Sequence, residues 1–241
     1  MRILALVLGL LLPALPVLAQ TNAAQTYSES LTLNGRFVPL PAGEWRLLAN
    51  VEEPAQGQAL GFRAVLLVQD AGDRLAAMVV ARVSTRATNA VYSNWARRGA
   101  CAQGDETIAV IAREASERAQ DCARVTTWTN PAQRPPSPAP EFSRYFAMAE
   151  SLQGWVPARF HSVWIGIADN TGDMEAYYHF SPETRGFWRD ERPWPQNGWN
   201  PANQSAQQKA YLARLVAWGR GAHGLVRAGF LGAGRELPPF Q

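Results

Sequence analysis

The chain has almost no lysine: Lys209 stands alone against 22 arginines, and those arginines are scattered along the sequence instead of gathered into a stripe. Nucleic-acid binders need a basic face that tracks successive phosphates, so neither DNA nor RNA is expected as a partner despite a formal net charge of +3. Histidine is scarce, limited to His161, His179 and His223, and cysteine scarcer still, limited to Cys101 and Cys122. No G-x-S-x-G, Walker loop, H-E-x-x-H or dinucleotide fingerprint occurs, which removes the most easily read hydrolases and nucleotide enzymes. After the first residues, no apolar run approaches the roughly 20 residues of a membrane-spanning helix. No catalytic residue, metal or cofactor is expected.

What is present begins with a leader. Met1-Arg2 supplies a short positive segment, Ile3 to Leu12 an apolar one, and Val17-Leu18-Ala19 a small-residue cleavage site, the pattern of a signal peptide cut before Gln20. Pro13 and Pro16 break the apolar run before it could span a bilayer. No cysteine follows the site to carry lipid. Export to the periplasm or beyond changes the reading of the two cysteines, because an even count in an oxidising compartment forms bridges. A Cys101–Cys122 disulfide would stabilise the fold by roughly 3 kcal/mol through loop closure. Neither C-x-x-C spacing nor a neighbouring histidine supports zinc or a nucleophilic thiol.

Removing residues 1–19 from the 241-residue chain leaves 222, within reach of one domain. Residues 20–30 are polar and read as a flexible mature N-terminus, and 31–241 as a single α+β domain. Short extended segments are expected at Leu31–Leu33, Arg36–Val38 and Glu44–Val51, punctuated by Pro39, Pro41 and Gly43. Leu60–Gln69 and Arg74–Ser84 flank Asp70-Ala71-Gly72-Asp73, a hairpin signal, and the second of these strands is apolar on both faces, as a central strand is. A short helix is expected at Asn89–Arg98, then strands at Thr107–Arg113 and Ala123–Thr129. Five prolines in 131–140 make a semi-rigid connector, followed by an amphipathic helix over Glu141–Gln153. Arg159–Ala168 and Met174–Phe180 form a second hairpin around Asp169–Asp173. A long helix is expected from an Asn200 N-cap and Pro201 to about Trp218, with Val226–Leu231 as a last edge strand. The architecture expected is an antiparallel sheet of two or more hairpins with the long C-terminal helix packed on it. Whether the two hairpins are a diverged duplication stays open, since their identity is confined to the Gly-Asp turn.

Three candidate constellations remain. Glu175, Tyr177 and His179 alternate on one strand face, read as a polar outer face. His161 and His179 could meet across the hairpin only if its register puts them on one side. Asp169–Glu175 is rich in oxygen ligands, yet Asp, Asn and Gly are also what a tight turn selects. The least ordinary region is 187–199, where Trp188, Trp194 and Trp199 alternate with Arg189 and Arg192. Aromatics and arginines on a loop make binding surfaces; the same rings could instead plug the core.

Several stretches together resemble uncharacterised exported proteins of proteobacteria: Leu31-Thr-Leu-Asn-Gly35, Pro39-Leu-Pro-Ala-Gly-Glu-Trp45, Asn94-Trp95 ahead of Gly99 and Cys101, Asp121-Cys122, Tyr178-His-Phe-Ser-Pro-Glu183 and Trp199-Asn-Pro201. The resemblance implies export and a shared fold, and imports no chemistry. The functional expectation is a non-catalytic binding or envelope-associated role, with Trp188, Arg189, Arg192, Trp194 and Trp199 as the contact residues and an envelope protein or glycan as the partner. The alternative is a hydrolase of envelope material using histidine and acidic residues, favoured if a pocket brings a histidine within about 3.2 Å of an acid.

Overall fold

Local turn chemistry sets the register on which everything else is built. The computed structural model describes residues 25–53, 61–85, 107–115, 119–129 and 156–240; the leader, Cys101, the 89–98 and 141–153 segments and the proline-rich connector lie outside them. Strands β5 (Phe62–Ala71) and β6 (Arg74–Ser84) turn at Gly72, whose φ of 66° is a left-handed conformation that glycine adopts without penalty. Strands β9 (Arg159–Asp169) and β10 (Gly172–Phe180) close on the Asp169–Gly172 pair. Asp169 Oδ1 accepts from the Thr171 backbone N–H and from its hydroxyl, each at 2.6 Å. That is turn capping, and Glu175 points away to Arg82, so the oxygen-rich 169–175 stretch does not converge on a cation.

The remaining strands are β1 (Thr26–Tyr27), β2 (Ser30–Leu33), β3 (Arg36–Pro39), β4 (Trp45–Glu53), β7 (Thr107–Ala115) and β8 (Gln120–Thr129). Among the described residues, eight of the ten strands form one sheet in the order β1-β4-β5-β6-β10-β9-β8-β7, every pairing antiparallel, and β2–β3 form a separate hairpin. With the long helix α1 (Ala206–Phe230) this is an α+β fold. The two hairpins meet at the middle, where β6 pairs with β10 from Met174↔Val83 to Phe180↔Ala77. The meanders β4-β5-β6 and β8-β9-β10 therefore run inward from opposite edges to one seam, as if related by a two-fold axis through the sheet. Part of the stretch expected to be flexible is ordered: Thr26 and Tyr27 add the edge strand β1, paired with Arg46 and Trp45, because Tyr27 packs against the core.

One sheet face buries Val65, Val79, Val163, Ile165, Ala176 and Tyr178 under α1 and the β2–β3 hairpin. The helix presents Tyr211, Leu215, Trp218, Ala222, Val226 and Phe230, a three- and four-residue spacing that makes a single apolar stripe. Two expectations about its ends are corrected. It starts at Ala206, because Ser205 and Gln208 form a reciprocal capping box, while Asn200 spends its side chain on the Ala202 N–H in a preceding turn. It also runs through Val226 to Phe230 instead of yielding to an edge strand, since those residues continue the buried stripe. No helix among the described residues is long and apolar enough to cross a membrane.

The hairpin lies so close to the helix that side-chain volume at one point would separate them. A Cβ at Gly229 would stand 2.1 Å from the Phe37 carbonyl oxygen, whereas one at Gly221 would meet nothing within 4 Å. Gly229→Ala should therefore cost about 1 to 3 kcal/mol by overpacking against backbone, and Gly221→Ala should gain about 0.5 to 1 kcal/mol from helix propensity. Urea melts of the two variants check the opposite signs.

Candidate binding surface

The three histidines occupy three different environments. In the β9–β10 register Ser162 pairs with His179 and His161 with Phe180, so His161 and His179 project from opposite faces of the sheet and cannot share a ligand. His161 is fully buried beneath the helix, its Nδ1 3.2 Å from Thr127 Oγ1 and its ring 4.2 Å from that of Trp199. His179 is fully buried on the other face, its Nδ1 2.6 Å from Ser162 Oγ and its ring stacked at 6.0 Å on Tyr177. Burial pushes both imidazoles down to about 3, with the Arg159 charge adding to the effect at His161.

Glu175, Tyr177 and His179 do share a face, but it is not a solvated one. Their exposures are 3%, 5% and 0%, because the central strands are buried on both sides: Leu66, Val80, Phe160 and Trp164 pack around them. Glu175 accepts from Arg82 Nη1 at 3.0 Å across the seam, and Arg82 in turn lies 4.4 Å over the Phe62 ring. A buried carboxylate is tolerated there because it has a charged partner. Ser162 and His179 stand within nucleophile-to-base distance, yet both are fully buried.

The aromatic and arginine loop leaves β10 at the open end of the hairpin. Glu183–Arg185 form one 3-10 turn closed by Gly186, in the left-handed region at φ 87°. Glu183 accepts from the Ala158 N–H at 3.0 Å, and Arg189 donates to the Val156 carbonyl at 3.0 Å, so the loop is tied to the start of β9. The hub is Asp190. Its buried carboxylate accepts from Arg192 Nε at 2.8 Å, Arg192 Nη2 at 2.7 Å, the Arg192 backbone N–H at 3.1 Å and the Gly198 N–H at 2.7 Å. The Arg192 guanidinium is the largest of the influences that hold this carboxyl down to about 2. Asn197, also buried, donates to the carbonyls of Asp190 and Arg192 and accepts from the Trp199 N–H at 2.9 Å.

These bonds sort the three tryptophans. Trp199 is 2% exposed and packs on His161, Phe187 and Tyr211; it is a core ring and does not join the surface expected of it. Trp194 is half-buried, with the Arg159 guanidinium 5.5 Å from its centre. Trp188 is 65% exposed, and the Arg192 guanidinium lies 5.2 Å over its ring. The result is a stack of buried carboxylate, guanidinium and indole, with the far face of the indole left to solvent. Arg189 is held by Glu191 at 2.6 Å and, more distantly, by Glu183 at 3.8 Å. Sequence reasoning found the aromatics and arginines and missed Asp190 and Asn197; an Asp two residues before an Arg and an Asn before Gly198 were the available signs, being residues that bond to backbone two positions on.

At the opposite, turn end of β9–β10, Asp121 on β8 is hydrogen-bonded to His223 Nε2 of α1 and lies 3.4 Å from Arg227 Nη1. Asp121 also lines a cleft with Glu114, Asp169, Arg227, Phe230 and Leu231. Burial alone would raise the Asp121 carboxyl, but His223 and Arg227 outweigh it and hold it below the usual range. His223 is the histidine that the sequence offered no reason to pair with an acid, since its partner is 102 residues away. Comparison with known proteins yields no match: no family model, no curated protein and no solved structure is significantly similar to this chain.

Two predictions follow from burial. The unfolded chain protonates its histidines near pH 6.5, whereas His161 and His179 resist protonation until about 3 in the fold. The unfolded state thus holds more protons between those limits, so stability rises with pH across the window, by up to about 2.7 kcal/mol per pH unit where both differ fully, and levels off above about pH 7. Urea melts at pH 5, 6 and 7.5 measure the slope; no slope between 5 and 6 contradicts the buried neutral pair. Separately, Trp199→Ala should cost about 3 to 5 kcal/mol of folding free energy by leaving a cavity, while Trp188→Ala should change it by less than about 0.5 kcal/mol, as thermal melts of both variants would show.

Proposed function

We propose that this chain is exported to the periplasm, is bridged there between Cys101 and Cys122, and acts by binding an envelope component through the 188–194 loop without catalysis. Export rests on the leader sequence and on the resemblance to exported proteobacterial proteins. Cys122 is buried on β8, and its partner in the proposed bridge lies outside the described residues. The observation that carries the binding role is the Trp188 ring, 65% exposed yet fixed against a guanidinium that Asp190 holds in two places. Aromatic rings and arginines are the side chains enriched where partners bind. A ring already locked in place loses little freedom on binding, so most of its contact energy appears as affinity. Arg189 and Trp194 belong to the same loop, and Trp199 packs in the core against His161, Phe187 and Tyr211.

The hydrolase reading has one observation in its favour, the Asp121–His223 hydrogen bond beside the cleft at the turn end. An acid that orients an imidazole is half of a general-base arrangement. Among the described residues the cleft lining supplies carboxylates, one guanidinium, the Gln120 amide and apolar groups. The binding role is the better supported of the two.

The mature protein, immobilised and exposed to envelope extract, tests it. Trp188→Ala should weaken retention of the bound component by about 2 kcal/mol, roughly 30-fold, as loss of a central aromatic anchor does, with the melting temperature unchanged. His223→Gln should leave retention as it was. Equal retention by wild type and Trp188→Ala would overturn the proposal.

A further inference from the structure

The chemistry around Trp188 also selects among ligands, on the footing that the 188–194 loop is the recognition surface. Among the described residues the exposed large hydrophobics are Trp188 and Leu231. Leu231 follows the end of α1 and lines the cleft at the turn end of β9–β10, whereas Trp188 stands at the open end. Trp188 is therefore a platform one ring wide. A protein interface of ordinary size buries about 800 Å² on each partner around several apolar anchors, and among the described residues the loop supplies one.

Charge narrows the choice further. The charge of Arg192 is balanced by Asp190 at 2.7 and 2.8 Å and that of Arg189 by Glu191 at 2.6 Å, so the loop offers no net positive charge to a phosphate or carboxylate. A cationic ligand is disfavoured too, because Arg192 already occupies one face of the indole and would repel a second cation placed on the other. An uncharged ring whose C–H bonds face the negative π-cloud is what remains. The rim supplies what such a ring needs at its edges. Arg192 Nη1 has no partner among the described residues, so its N–H groups can donate to a hydroxyl, and the Glu191 carboxylate, 57% exposed, can accept from one.

We infer that Trp188 is a stacking platform for one pyranose ring of an uncharged oligosaccharide, with Arg192 and Glu191 hydrogen-bonding its hydroxyls. Pro193, which follows Arg192, is exposed and fixes the backbone φ at its own position.

Titration calorimetry and saturation-transfer NMR on the mature protein, with cellotetraose and chitotetraose as probes, test this. At least one probe should bind, with saturation strongest at ring C–H protons. Trp188→Ala should lose at least 10-fold in affinity, Trp188→Phe about 2- to 5-fold, and Glu191→Gln less than Trp188→Ala, all with unchanged melting curves. Raising salt from about 50 to 500 mM should change affinity less than 2-fold, since no net charge is neutralised. Failure of both probes to bind, or equal binding by Trp188→Ala, overturns the inference. If an envelope protein is then retained in a Trp188-dependent way, the glycan assignment falls and the recognition surface stands; if Trp188→Ala alters neither kind of binding, both fall together.

Discussion

The antiparallel seam between β6 and β10 is the constraint on which the rest of the molecule depends. Seven residue pairs, from Met174↔Val83 to Phe180↔Ala77, join two meanders that are each complete on their own side. Strands at such a seam have neighbours on both edges and, here, cover on both faces, so polar side chains caught there must find partners. Arg82 and Glu175 face each other across the seam, and His179 finds Ser162 on the adjoining strand. The cost of burying these groups explains why both central histidines are neutral and why acid is expected to unfold the protein through them.

The seam also sets where a surface can be built. The tight turns lie at one end of each hairpin, and at the other end of β10 the chain must cross from the sheet to the helix. The 181–205 crossing does this with a carboxylate hub instead of a second layer of apolar packing. Asp190 gathers three donors from Arg192 and one from Gly198, and Asn197 gathers the loop backbone behind it. Trp199 fills the core beneath, between His161, Phe187 and Tyr211. What remains outward is Trp188, laid against the pinned guanidinium of Arg192. A rigid polar scaffold under one exposed ring is the combination that favours recognition at low ordering cost.

Much of the fold was legible because it is decided locally. The Asp-Gly turns, the alternation of β6 and the apolar stripe of α1 are written in neighbouring residues. The helix ends were not. Asn200-Pro201 carries the same residue types whether it caps a helix or makes an Asx turn, and Val226–Leu231 is too short for periodicity to separate strand from helix. Alternation correctly placed Glu175, Tyr177 and His179 on one face but could not say that the face is covered, since the cover comes from other strands. The same limit applies to the tryptophans: composition marked 187–199 as unusual, and only the three-dimensional placement of Asp190 and His161 separates an outer Trp188 from an inner Trp199. The Asp121–His223 bond joins β8 to α1 and has no local signature at all.

The account stands on Trp188 being a preformed platform, and ¹⁵N relaxation of its backbone amide and indole N–H in the unliganded mature protein measures that directly. The account predicts order parameters near about 0.85 at both sites, matching the β9 and β10 amides, because Asp190 and Arg192 fix the ring before any ligand arrives. Values below about 0.6 at the indole, with rigid strands beside it, would contradict it and reduce the exposed ring to a mobile surface side chain.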